Sequence, residues 1–130
     1  MKKRFLQILS IIIIIILFYL LFQFANSFFK TQQIKKILNE ATTINIYKLS
    51  SKNVERFTEE QLSKEISFTI KNPKEYFKKI HYKKTVVLWK GDLYGRIYLE
   101  NNKIIELRWS PYGNFFALKN EKGHYSFSIE

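Results

Sequence analysis

Residues 5–29 read FLQILSIIIIIILFYLLFQFANSFF, and none of these 25 side chains carries a charge. A helix rises about 1.5 Å per residue, so the stretch reaches roughly 37 Å, enough to cross a hydrocarbon core of about 30 Å. The remainder of the chain is too small to bury such a helix on every side. A helix satisfies its own backbone hydrogen bonds, so the isoleucine run is compatible with lipid. The stretch therefore predicts a single membrane-spanning helix.

The flanks and the length of this segment predict its orientation in the membrane and whether it is cleaved. Lys2, Lys3 and Arg4 precede it, and positive residues favour the cytoplasmic side. We therefore expect a cytoplasmic N-terminus and an extracytoplasmic C-terminal domain. The segment is longer than the roughly 7 to 15 apolar residues of a signal peptide, which favours an uncleaved anchor. Cleavage near Ser27, in the small-x-small triplet 25–27, is the alternative, and it would secrete the domain.

Composition and spacing divide the chain into three parts. Residues 1–29 hold a basic tip and the anchor, residues 30–41 form a helical stalk or linker, and residues 42–130 form the outer domain. The stalk repeats apolar residues at helical spacing: Ile34, Ile37, Leu38 and Ala41. This spacing favours a helix that packs on its own domain, whereas a dimeric coiled coil would need a longer register.

The outer domain is predicted to be α+β, with an antiparallel β-meander of about five strands. Alternating apolar residues and short turns predict these strands at 85–89, 93–100, 103–109, 115–119 and about 125–129. Sequential strands with short turns usually pair as neighbours. Two earlier stretches, 42–49 and 66–70, have the same strand character and can join the sheet. A small barrel is the alternative.

One or two short helices are expected to cover a face of this sheet. Thr58 and Gln61 have the spacing of a capping box, which predicts a helix that ends near Glu65. Asn72 and Pro73 suit the start of a second helix, which is predicted to run to about residue 81.

The positive charge is concentrated in one segment of the outer domain. The net charge is +11, and residues 71–90 hold a single acidic residue and seven lysines: Lys71, Lys74, Lys78, Lys79, Lys83, Lys84 and Lys90. Such a segment is either a solvated face or a contact for anionic lipid or a wall polymer. Aromatic residues among lysines also occur in single-strand nucleic-acid grooves, but nucleic acid is not an expected partner outside the cytoplasm.

Aromatic residues cluster around the turn at 110–114. The cluster consists of Trp109, Tyr112, Phe115 and Phe116. Such residues either fill the core or form a platform at a loop tip that contacts a peptide, a sugar ring or a partner protein.

No motif for catalysis, metal binding or a cofactor stands out. The chain has no cysteine, which excludes disulfides, thiol catalysis and cysteine-ligated zinc. His81 and His124 are the only histidines, and they lack metal-ligand spacing. Glu100 and Glu106 flank a predicted turn, but alternating charges on an exposed strand are commoner than a catalytic carboxylate pair. We therefore expect no cofactor and no enzymatic activity.

These observations predict a membrane-anchored, extracytoplasmic binding module of the bacterial envelope. A specific case is an inhibitor or immunity-type protein that blocks a protein partner through the aromatic turn. The alternative is a basic envelope protein that adheres to anionic lipid or wall polymer through its lysines. An enzyme with a site assembled only by folding is the least favoured interpretation.

Overall fold

A long N-terminal helix leads directly into an antiparallel sheet. The computed structural model describes residues 1–84 and 91–129. Helix α1 spans Lys2–Glu40, and strand β1 follows without a loop at Ala41–Tyr47. The remaining elements are a 3-10 helix at Val54–Arg56, α2 at Glu59–Ser63, β2 at Ile66–Ile70, α3 at Pro73–Tyr76, β3 at Lys79–Lys83, β4 at Leu93–Leu99, β5 at Ile104–Trp109, β6 at Phe115–Leu118 and β7 at His124–Ser128.

The seven strands lie in the order β2-β1-β4-β5-β6-β7-β3, and neighbouring strands are antiparallel. The α+β class is confirmed, with seven strands in this sheet rather than about five. β4 to β7 follow one another as a meander, and Asn102 and Asn120 adopt positive φ angles of 65° and 70° in its turns. The strand predicted at 85–89 lies outside the described residues. Among the described strands the sheet is open, with β2 and β3 at its edges.

The segment after Asn72 differs from its prediction. The spacing predicts one helix over 73–81, but α3 ends at Tyr76 and strand β3 begins at Lys79. The prediction is wrong because Ile80 fits two patterns. It lies four residues after Tyr76, as in a helix, and two residues before Tyr82, as in a strand. The ladder between β3 and β7 selects the strand.

The main core lies between one side of the sheet, which we name the helix face, and the second half of α1. The strands contribute most of its buried side chains, among them Ile44, Ile46, Ile97, Leu107, Trp109, Phe116, Tyr125 and Phe127. Ile34 is fully buried and Leu38 nearly so. Full burial of such a side chain contributes about 1.5–3 kcal/mol, so this part of α1 stabilises the sheet directly. α3 and Phe77 cover the helix face beside it.

The opposite side of the sheet, the far face, is covered only in part. The 3-10 helix and α2 pack there over a small cluster of Tyr47, Leu62 and Tyr94. The predicted capping box is present, since Thr58 and Gln61 each bond the other's backbone N–H. It stabilises the first turn of the short helix α2.

The first half of α1 has no such packing. Residues 1–22 are exposed along their whole length. Of the residues that the structure describes, α1 is the one helix that is long and apolar enough to cross a membrane.

Replacement of Ile34 tests whether α1 belongs to the core. We expect Ile34→Ala to lower the free energy of unfolding by about 2–5 kcal/mol, because a fully buried side chain leaves a cavity. Urea unfolding of the full chain in detergent micelles measures this loss. The exposed neighbour Gln33 provides the control, and Gln33→Ala should change stability by less than about 0.5 kcal/mol. Equal effects of the two variants would contradict the packing.

Candidate functional site

The aromatic residues around the turn at 110–114 do not share one exposed surface. Trp109 and Phe116 lie in the core, where their rings stack with centroids 6.1 Å apart and planes inclined by 7°. Phe115 is half-buried against His124 on the far face. Tyr112 is 86% exposed. Of the four residues predicted as a partner surface, only Tyr112 presents its ring fully to solvent.

The lysines predicted to contact an anionic surface are exposed. The six described ones are Lys71, Lys74, Lys78, Lys79, Lys83 and Lys84. Lys90 lies outside the described residues. Within residues 1–84 and 91–129, none of the six forms an ion pair with an acidic side chain. These lysines therefore present uncompensated positive charge along β3 and the α3 segment before it.

The edge strand β3 is attached to α1 by two hydrogen bonds. The backbone N–H of Tyr82 donates to Thr31 Oγ1 over 3.0 Å. Ser27 Oγ donates to the carbonyl of Tyr82 over 2.8 Å. Both backbone groups face away from β7 and would otherwise remain unpaired at the edge of the sheet. The helix therefore closes this edge and holds the basic strand against residues 27–31.

The β6–β7 turn meets α1 next to this contact. Lys30 Nζ lies 3.5 Å from a carboxylate oxygen of Glu121, which also accepts a hydrogen bond from the Tyr125 hydroxyl over 3.0 Å. Burial raises the pKa of Tyr125, and the nearby Glu121 charge raises it further, so its hydroxyl stays a proton donor. A Cβ on Gly123 would lie 2.5 Å from the backbone oxygen of Lys83, so only glycine permits this approach.

A cleft of about 460 Å³ lies on the far face between the 3-10 helix, α2, strands β4 and β5, and the start of the β6–β7 turn. Arg96 forms a bidentate salt bridge with Glu59, at 2.7 and 3.0 Å, and its Nε donates to the Tyr94 hydroxyl over 2.7 Å. The Glu59 bond raises the pKa of Arg96, and the same bond lowers the pKa of Glu59. These charges pair with each other, so their observed role is to hold α2 on the sheet. No local sequence pattern indicates the cleft, since Arg96 and Glu59 are 37 positions apart.

The carboxylates and histidines considered for catalysis or metal binding lie apart. Glu106 pairs with Lys119 at 3.3 Å, whereas Glu100 is exposed beyond the end of β4. His81 is exposed on β3, and His124 is buried at the start of β7. Among the described residues, no group of three His, Asp or Glu side chains could hold a metal ion.

Comparison with known proteins gives no relative. No family model, curated protein or solved structure matches this chain.

Replacement of Thr31 tests the bond that closes the β3 edge. Valine has the shape of threonine but no hydroxyl, so Thr31→Val leaves the buried Tyr82 N–H without its acceptor. We expect a loss of about 1–3 kcal/mol in the free energy of unfolding and faster hydrogen exchange of the Tyr82 amide. Thr42→Val is the control, because the Thr42 hydroxyl donates to Tyr98 in an exposed position where water can replace it. Equal losses in both variants would argue against a special role for Thr31.

Proposed function

We propose that this chain is a single-pass membrane protein whose C-terminal domain is an extracytoplasmic module that binds a polyanion. The observation that carries the proposal is the exposed, uncompensated lysine set on a domain that is joined rigidly to a long apolar helix. The module acts by binding and not by catalysis.

The exposed first half of α1 supports the membrane anchor. Apolar side chains that cover no part of the domain are stable in lipid but unfavourable in water. The basic residues Lys2, Lys3 and Arg4 support a cytoplasmic N-terminus. An uncleaved anchor is favoured over a signal peptide, because Ser27 is helical and bonded to the domain at the position where cleavage would occur.

The partner is expected to be a flexible anionic polymer, such as a phosphate-rich wall polymer. Four exposed lysines, which we name the distal lysines, lie on α3, β3 and the segments that flank α3: Lys71, Lys74, Lys78 and Lys79. Lysine is a mobile point charge, so it suits a repeating polyanion better than a single phosphate held in fixed geometry. The inhibitor hypothesis is less favoured, because Trp109 and Phe116 are occupied in the core.

The proposed topology is testable because the chain has no native cysteine. A cysteine is introduced either at the exposed outer position, as Tyr112→Cys, or near the N-terminus, as an insertion between Met1 and Lys2 that keeps all three basic residues. A membrane-impermeant maleimide added to intact cells should label the first variant and reach the second only after lysis. The opposite labelling pattern would reject the orientation, and an intact mass that begins near Phe28 would reject the anchor.

Polyanion binding is tested with the full chain in nanodiscs of neutral phosphatidylcholine and soluble poly(glycerol phosphate) as the probe. We expect replacement of the four distal lysines by glutamine to weaken binding by about tenfold or more, since each lysine near an anionic surface contributes up to about 1 kcal/mol. The binding should also weaken as salt is raised.

The matched control removes the same charge from exposed positions elsewhere on the domain. These positions are Lys48, Lys52, Lys64 and Lys103. If this control variant loses as much affinity as the distal variant, binding follows net charge alone and the proposed surface is wrong. If the unaltered chain does not bind the probe, the polyanion hypothesis is wrong.

A further inference from the structure

The bonds between β3 and α1 define which end of β3 lies near the apolar segment. Within a strand residue, the path from the N–H to the carbonyl advances toward the C-terminus. In Tyr82 the N–H bonds Thr31 and the carbonyl bonds Ser27, which lies one helical turn closer to the exposed apolar part of α1, residues 5–22, called the apolar segment below. β3 therefore runs antiparallel to α1, and its C-terminal end points toward the apolar segment.

Three exposed lysines lie at this end of the domain. Lys83 and Lys84 continue β3 beyond its bonds to α1, and Lys122 lies in the β6–β7 turn. The turn lies beside them, because Lys83 pairs in the ladder with His124, the first residue of β7. Lys83, Lys84 and Lys122 are named the proximal lysines.

The length of α1 places the proximal lysines at the level of lipid headgroups. A hydrocarbon core of about 30 Å takes about 20 helical residues, and counted from Phe5 it ends near Ala25. The headgroup region adds about 5–7 Å on each side, which includes Ser27. Phe24 and Phe28 are exposed on α1 at this level, and their apolar rings can contact the boundary of the hydrocarbon core.

Lys79, the distal lysine on β3, lies too far along the strand to share this environment, and Lys78 precedes it on the side away from Lys83. Lys79 and Lys83 are four strand residues apart, which corresponds to about 13 Å. The potential of an anionic leaflet falls off within a Debye length, about 8 Å at physiological ionic strength. The six described lysines of the predicted basic surface therefore divide into the distal lysines and the proximal pair Lys83 and Lys84, with different surroundings.

From this placement we propose that the proximal lysines bind the phosphodiester headgroups of anionic lipid in the same membrane that α1 spans. The inference rests on the membrane anchor proposed above. Lipid contact at Lys83, Lys84 and Lys122 holds the end of the sheet on the bilayer. This contact fixes the orientation of the domain and leaves the distal lysines free for a soluble polyanion.

Hydrogen exchange of the full chain in nanodiscs tests this site. The discs contain phosphatidylcholine alone or phosphatidylcholine and phosphatidylglycerol in a 2:1 ratio. In 0.1 M salt, we expect amides at 83–84 and 119–123 to exchange about threefold or more slowly with phosphatidylglycerol present, because headgroup contact stabilises the closed state. The amides of Lys71, Asn72 and Lys74 should not change. The protection should disappear at about 0.5 M salt, which screens the attraction.

Two triple variants that lose the same charge test whether the protection depends on the position of the lysines or on the net charge of the domain. The variant Lys83→Gln, Lys84→Gln, Lys122→Gln should lose the phosphatidylglycerol-dependent protection. The variant Lys71→Gln, Lys74→Gln, Lys78→Gln loses the same charge and should keep it. Unchanged exchange of the β5 amides in both variants verifies that the fold is intact.

The possible contrary results are distinct. Equal exchange rates in the two kinds of disc would overturn the lipid site, and so would equal loss of protection in the two triple variants. Protection by soluble glycerol phosphate in discs of phosphatidylcholine alone would assign the lysines to a free phosphate instead. None of these results contradicts the membrane anchor, which the cysteine labelling tests on its own. The lipid site and the anchor can therefore be rejected independently.

Discussion

The packing of Ile34 and Leu38 against the helix face of the sheet is the interaction on which the other features depend. These residues lie on the same unbroken helix as the exposed apolar segment, with no loop between them. A continuous helix fixes the domain relative to the apolar segment, whereas a flexible linker would allow the domain to move independently. The sheet therefore keeps a fixed position and rotation relative to the apolar segment, and the separate environments proposed for the proximal and distal lysines depend on this relation.

The two edges of the sheet show a second consequence of the same helix. At β3 the free backbone groups of Tyr82 bond Thr31 and Ser27, so α1 both fills the core and closes the edge. At β2 no described element covers the edge in this way, and Lys64 and Lys71 flank its uncharged strand. Charges beside an edge oppose pairing with another chain. Adjacent turns of α1 thus have two roles: Ile34 and Leu38 pack on the sheet, and Ser27 and Thr31 bond the β3 edge.

Much of the fold follows from local patterns in the sequence. Alternation of apolar and polar residues predicts most strands, asparagine predicts two turns, and the capping box of Thr58 is present as its spacing indicates. The segment 79–83 was not predictable in this way, because Ile80 satisfies helical and strand spacing at once. Its structure depends on pairing with β7, about 45 residues later in the chain.

The sequence by itself determined the apolar segment, the α+β class and the local excess of lysine, because charge and periodicity are properties of neighbouring residues. Only the tertiary structure decided the surroundings of these residues. It placed Trp109 and Phe116 in the core, left Tyr112 exposed and set β3 antiparallel to α1. Spacing defines which side of its own strand or helix a residue occupies. Contacts between distant segments decide whether that side meets the core, water or the end of the apolar helix.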